Sequence, residues 1–488
     1  PTPPPPPTQP TKNPFFLLSP QPSLKILNQT ILSTAFPTIM KAFDVSTSTV
    51  QWLTTGFLLV NGIMIPISAW LSTRFNSKPL YITAMVVFFI GTVVCYTAPN
   101  FSFLLIGRLI QALGVGVTMP LLQTIMLSIF PPDKRGTAMG LAGIVIGLAP
   151  AIGPTLSGWV IDNATWRDLF GMILPLLLIV IIGSFWFIRN VLPTKKTSID
   201  LISVVTSTIG FGSLLYGFSS VGDDGWGSTK VISTLIIGLV FIAVFVWRQL
   251  TMDKPFLEFR VYRSTPFLVS AILSSITMMA MVGVEMVIPL YLQIVKGMSA
   301  FESGLTLLAG ALMMGIMSPI TGRAVDRYGA RNLSIIGMVL LTLGSIPFIF
   351  ITKDTPTIYI VVFYAIRMFG ISMAMMPSTT VGMNALPMNL LSHGTAVNNT
   401  QRQVASSVGT AILISILTNV TNSDKPAHHL LTTNPLQYKD DFFNATLGGY
   451  HAAFVVAVVF CLMALVTSFF LKNRASSADY TTKNGGDK

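Results

Sequence analysis

Glu285, in the run Met281-Val-Gly-Val-Glu285-Met-Val-Ile-Pro289, is the residue best placed by type and setting to do chemistry. Of 18 acidic side chains it is the one well inside an apolar stretch, and the other seventeen fall in loops, tails or the ends of apolar runs. A charge in the middle of a membrane-length stretch costs roughly 2.5–3.5 kcal/mol on insertion scales, so the side chain must turn towards other protein. An apolar surrounding penalises a carboxylate, and an arriving water or cation relieves the penalty. That behaviour suits a group that takes up and releases a proton. A glutamate merely hydrogen-bonded to neighbouring helices is the plainer reading.

Arg108 and Arg367 read as the basic residues deep within apolar runs. Arginine keeps its charge at any relevant pH, so each is a fixed positive field that modulates protonation nearby. Gln111 lies one turn from Arg108 on the same helical face. For Arg367, a packing role and a counter-ion role towards Glu285 both stay open. Asp326 stands in a loop among Arg323, Arg327 and Arg331, where a charge network could lock one conformation and break in another. Methionine clusters at Met278-Met279-Met281 and Met373-Met375-Met376 suit an adaptable pocket, although packing is the commoner use of methionine. Cys95 and Cys461 lie in apolar runs, and the four histidines include no HExxH spacing, so no disulfide framework or metal cluster is indicated. The adjacent His428 and His429 read as a solvated pair in a polar loop.

The elements that must position these residues follow from composition. Of 488 residues, 52% are hydrophobic and 10% charged, against about 25% charged in soluble domains. Forty-eight charges cannot cover a soluble globule of this length, so most of the surface faces lipid. The net charge of +12 is scattered singly and in pairs between apolar runs, with no basic stripe of the kind that holds nucleic acid.

A bilayer core needs roughly 20 apolar residues per helix. By that rule the chain holds fourteen spans, near 24–42, 50–71, 79–98, 101–129, 137–161, 167–188, 200–220, 230–250, 266–294, 302–322, 332–352, 357–378, 400–420 and 449–471. The first is the weakest, since it starts late and contains Lys25 and Asn28. Residues 1–23 are Pro-rich and read as a disordered tail, and the absence of an initiating Met points to a truncated or altered start. With both termini inside, the inward loops hold fourteen Lys and Arg and the outward loops seven, the positive-inside asymmetry.

The halves echo each other. Ala69-Trp-Leu-Ser-Thr-Arg-Phe-Asn-Ser-Lys-Pro-Leu80 aligns without gaps on Gly322-Arg-Ala-Val-Asp-Arg-Tyr-Gly-Ala-Arg-Asn-Leu333, pairing Arg74 with Arg327 and Lys78 with Arg331. Two spans later, Arg108, Gly114 and Pro120 are answered by Arg367, Gly370 and Pro377. Duplicated halves suit a transporter that rocks about a midplane site.

Four motifs carry a family resemblance over about residues 26–471. They are Gly322-Arg323-Ala-Val-Asp326-Arg327-Tyr-Gly329-Ala-Arg331 in a loop, and Gly107-Arg108-Leu-Ile-Gln111-Ala-Leu-Gly114 in span four. Span five adds Gly147-Leu-Ala-Pro150-Ala-Ile-Gly153-Pro154-Thr-Leu-Ser-Gly158, and span one adds Leu27-Asn28-Gln-Thr30-Ile-Leu-Ser-Thr-Ala35-Phe-Pro37. With these the chain resembles the major facilitator superfamily, and within it the fourteen-span drug:proton antiporters of the multidrug and lincomycin efflux type. It departs from that pattern at Ala112, where glycine is usual, at Asn28, where many relatives carry aspartate, and at Thr73, so that only the second-half loop holds the full charge cluster.

The resemblance implies an all-α integral membrane protein with two six-helix halves, 24–190 and 265–472, a central two-helix insert, 191–264, and a cytoplasmic tail, 473–488. It implies a coupling role for Arg108, which joins Glu285, read from its setting, as the expected proton-coupling pair, and the expected substrate pocket holds Asn28, Gln111, Met279 and Glu285. Arg74, Lys78, Arg323, Asp326, Arg327 and Arg331 become gating-loop residues. Gly147, Pro150, Gly153, Pro154 and Gly158 form an antiporter-motif helix in which small residues allow close approach and prolines bend the backbone. The implied protein works as a monomer in the bacterial plasma membrane, without cofactor or metal, exchanging protons for small drug-like molecules. A transporter of one specific metabolite is the alternative. A membrane-embedded enzyme needs a convergent set of ligands or nucleophile and base, and none is legible.

Overall fold

The computed structural model describes residues 35–45, 47–140, 163–188, 200–253, 255–426 and 435–475, with positions 32, 153, 156, 157, 159–161, 190–192 and 194 between them. After a short helix α1 (Phe36–Phe43), long apolar runs become long helices: α2 (Thr47–Arg74), α3 (Ser77–Tyr96), α4 (Phe101–Ile129), α5 (Ile173–Phe187), α6 (Leu201–Asp224) and α7 (Thr229–Thr251). Then follow α8 (Thr265–Leu290), α9 (Ala300–Tyr328), α10 (Ala330–Ser345), α11 (Thr357–Asn384), α12 (Leu391–Ser423) and α13 (Pro435–Ser468). Twelve helices among the described residues are long and apolar enough to cross a membrane. They coincide with twelve of the fourteen expected spans. The other two, 24–42 and 137–161, fall largely outside the described residues, as do the expected tails.

Local signals explain the helix limits. Asn100 caps α4, its side chain accepting from Phe103 N at 3.0 Å. Ser299 and Glu302 form a reciprocal capping box at the start of α9. Gly329 separates α9 from α10 at φ 85°, which an L side chain rarely adopts, and a Cβ there would run into Asn473. At the end of α8, Pro289 removes a backbone donor, and Tyr291–Val295 continues as a π-helical turn.

Two helix boundaries correct the hydropathy reading. Span thirteen, expected at 400–420, begins at Leu391, because a polar run through Asn398, Asn399 and Gln401 is helical. The last helix starts at Pro435, inside the stretch expected to be loop.

Each half has its own core. One cluster unites Phe57, Met85, Phe88, Leu121 and Leu177, and another unites Val284, Met314, Met338, Ile371 and Phe454. The echo between halves is structural. The crossing of α3 on α4 is made close by Gly91, where a Cβ would meet Gln111 N at 2.6 Å, and that of α10 on α11 by Gly344, where it would meet Arg367 N at 2.7 Å. A third cluster, with Ala69, Leu127, Phe245, Phe256, Phe267 and Met383, joins both halves and the central pair at one end of the bundle. In that pair α6 packs on α2, where Trp52 stacks on Tyr216 at 5.7 Å, whereas α7 exposes Ile236, Leu239, Val240 and Trp247 as a lipid-facing side chain row would be.

Candidate functional site

Arg108 has no exposed surface. Its Nε donates to Leu53 O at 3.2 Å and a terminal nitrogen donates to Gln111 Oε1 at 2.9 Å, while its guanidinium lies 4.3 Å from the Phe57 ring centre. Gln111 Nε2 passes the chain on to Thr92 Oγ1 at 2.9 Å. The expected Arg108–Gln111 pairing therefore exists, and Thr92 on α3 extends it. This network joins α2, α3 and α4 around a fixed charge.

The second half repeats the device. Arg367 is fully buried, its Nε donating to Ser345 Oγ at 3.1 Å and a terminal nitrogen donating to Ala280 O on α8. Glu285 stands on the same helix as Ala280 and is half-buried. Its carboxyl makes no hydrogen bond or ion pair among the described residues, while the buried Arg367 acts on it through space. Of the two roles left open for Arg367, the geometry gives it packing duties first, with an electrostatic influence on Glu285 and no direct salt bridge. Among the described residues no hydrogen bond or ion pair joins Arg108 or Gln111 to Glu285, and the three stand in different halves, on α4 and on α8.

Met279 faces α12, its Cα 2.7 Å from where a Cβ on Gly409 would stand. The neighbouring Met278 is the methionine that meets a charge: Arg402 reaches its Sδ at 3.5 Å and Met375 Sδ at 3.7 Å. Arg402 was not among the basic residues read as membrane-embedded, since it fell at the edge of an apolar run. It stands eleven residues into α12. The usable signal is the polar stretch through Asn398 and Asn399 just ahead of the expected span, which hydropathy alone cannot tell from a loop.

The stretch expected to be a loop is helical through Tyr328, so Arg323, Asp326 and Arg327 stand on the last turns of α9, and the expected charge network does not form there. Arg323, Arg327 and Arg331 are exposed, and none lies within ion-pair distance of Asp326. Asp326 instead accepts from Gly136 N at 2.9 Å, Thr137 N at 2.8 Å and Thr137 Oγ1 at 2.6 Å. These donors open a helical segment, 135–140, in the other half, where free N–H groups and the helix dipole favour an anion. The approach is close: a Cβ on Gly136 would collide with Asp326, and one on Gly140 with Ser318 O. Arg135 donates to Asn384 Oδ1 at 2.8 Å, and Asn384 Nδ2 donates to Pro132 O at 3.1 Å. Asn399 Nδ2 donates to Gln123 Oε1 at 2.9 Å. Among the described residues every hydrogen bond between the halves lies towards this end, so the bundle is closed there. In the first-half loop Lys78 Nζ donates to Phe185 O at 2.6 Å within its own half, and Arg74 is exposed. Gly153 is buried in a helical stretch, while Asn28, Gly147, Pro150, Pro154 and Gly158 lie outside the described residues.

Two pseudo-equivalent helix bundles, each with a buried arginine and joined at one end by the hydrogen bonds of Asp326, have the architecture of a polytopic transporter. The sequence profile of the Major Facilitator Superfamily matches residues 23–410. An uncharacterized transporter of this type from Bacillus subtilis, YcnB, is 49% identical over 454 residues, covering 93% of each chain. The lincomycin resistance protein LmrB of Listeria innocua is 38% identical over 447 residues, covering 92% of this chain and 94% of its own. The human organic anion transporter MFSD10 has the same fold, with a TM-score of 0.65 at 13% identity, covering 93% of this chain and 97% of its own. The chain belongs to the major facilitator superfamily, on the branch of multidrug and lincomycin efflux relatives. It is a multi-pass membrane transporter and not an enzyme.

Proposed function

We propose that the protein exports small amphipathic molecules across the bacterial plasma membrane in exchange for protons, by alternating access about a site between its two halves. The reading includes fourteen spans with both termini in the cytoplasm, so that the latched end of the bundle faces inwards. The observation that carries it is Glu285, a carboxyl within the apolar helix α8 with no hydrogen bond or ion pair among the described residues and a buried arginine, Arg367, acting on it through space. A carboxyl so placed is free to bind a proton in one state and a cation or water in the other. Arg108, held by Leu53, Gln111 and Phe57, supplies a positive field in the first half that resists a second positive charge. The Asp326 latch holds the inward end shut, and its release opens the site to the cytoplasm. The likeness to a lincomycin resistance protein over most of both chains supports export of drug-like compounds.

Proton movement in vesicles reconstituted with the purified protein tests this. Addition of an amphipathic substrate such as ethidium to vesicles holding a proton gradient should release protons in proportion to substrate moved. Substrate movement with no accompanying proton flux contradicts the antiport reading.

A further inference from the structure

Arg402 is the charge that this mechanism leaves unused. Arg108 and Arg367 are fully buried, and each donates to backbone or side-chain oxygens. Arg402 keeps some exposed surface at mid-helix, its Nε is buried without a partner, and its recorded acceptors are the thioethers of Met278 and Met375. No carboxylate lies within ion-pair distance of it among the described residues. A guanidinium has five donors in a planar fork, and a thioether is a weak acceptor. A membrane helix that keeps such a group short of oxygen partners bears a cost that a bound oxyanion would remove. Glu285 lies on the same face of α8 as Met278, seven residues on, about 10 Å along the axis. The two methionines supply apolar, adaptable wall beside the fork.

We infer that Arg402 is the recognition point for an oxyanion, a carboxylate or sulfonate, on an amphipathic substrate whose apolar body lies along Met278 and Met375. The inference rests on the transport reading proposed above and narrows its substrate class to molecules bearing an acidic head, including zwitterions whose cationic end points to Glu285. Charge-assisted hydrogen bonds of this kind correspond to roughly ten- to hundredfold in affinity.

Three fluorescent probes sharing one body test it: 11-(dansylamino)undecanoic acid, its primary amide and the matching alkylammonium. Equilibrium binding is measured on the purified full chain, unmodified and as Arg402→Met and Arg402→Lys. The carboxylate should bind the unmodified protein at least tenfold tighter than the amide. Arg402→Met should remove that advantage while leaving the amide within about threefold, and Arg402→Lys should keep part of it. Equal binding of carboxylate and amide to the unmodified protein overturns the inference without recourse to any variant, as does a carboxylate affinity untouched by Arg402→Met. The same probes added to vesicles separate this from the antiport reading. Proton release driven by the ammonium probe, with carboxylate binding indifferent to Arg402, sinks the oxyanion subsite alone. Arg402-dependent carboxylate binding without proton release by any probe sinks the antiport reading and keeps the subsite.

Discussion

Replacing Asp326 by asparagine should loosen the closed end of the bundle without touching the substrate site. The carboxylate accepts three hydrogen bonds from the start of the 135–140 helix. Asparagine keeps one acceptor oxygen, loses the charge that favours a helix N-terminus, and turns an NH2 group towards backbone N–H donors. Loss of one charge-assisted bond with partial loss of the others costs about 2 kcal/mol, or roughly thirtyfold in the balance between closed and open forms. A population that is roughly 99:1 closed would fall to roughly 3:1. Spin labels at Lys134→Cys and Asn389→Cys, both exposed and on opposite halves, report that balance by pulsed distance measurement once the buried Cys95 and Cys461 are replaced. Asp326→Asn should add a longer distance component and slow turnover more than it weakens equilibrium binding of substrate. An unchanged distance distribution, or lost binding with unchanged maximal rate, refutes the latch.

Other outcomes follow from the same geometry. An impermeant maleimide added outside intact cells should label Lys425→Cys, which is exposed after α12, and labelling only from the cytoplasmic side contradicts the proposed topology. Gly91→Val should lower thermal stability by about 1–3 kcal/mol, since even a Cβ would stand 2.6 Å from Gln111 N and 2.8 Å from Gly107 O, and an unchanged melting temperature contradicts that packing. Asp200, at the start of α6, is pulled down to about 2 by the hydrogen bonds that Arg248 donates at 2.7 and 2.9 Å. A depressed carboxyl stabilises the fold above its unfolded value near 3.9 and loses that stabilisation as pH falls through its folded one. The melting gap between the unmodified protein and Asp200→Asn should therefore hold from pH 7 to 5 and shrink below about pH 4, and a gap constant down to pH 3 contradicts the pair.

Hydropathy located helices well where apolar side chains face lipid, because there the solvent leaves its mark on every residue. It failed where helices face protein. The stretch Leu391–Asn399, ahead of the expected span, reads as loop by composition, yet it is helical, and amides at its end and just beyond find partners across the bundle, such as Gln123 for Asn399 and Tyr262 for Gln401. Arg402, near the start of the expected span, reads as a span-end residue because the helix begins well before that span. The motif is legible from Asp326 and its arginines, while the backbone role of Gly329, at positive φ between α9 and α10, is visible only in the structure. The partner of Asp326 was not legible, since Gly136 and Thr137 contribute backbone donors, and backbone donors are present at every position but proline. The Arg108–Gln111 pair was legible because both ends sit one turn apart on a single helix, whereas Thr92, nineteen residues away from Gln111, was not.

Glu285→Gln in reconstituted vesicles tests the central claim most directly. Glutamine keeps the size and hydrogen bonding of the protonated acid but cannot release a proton. The variant should insert and fold, bind a neutral amphipath, lose affinity for a cationic one, and show binding that no longer depends on pH. Under an imposed proton gradient it should fail to drive substrate uphill. Uphill transport at the normal rate by Glu285→Gln contradicts the account and makes Glu285 structural.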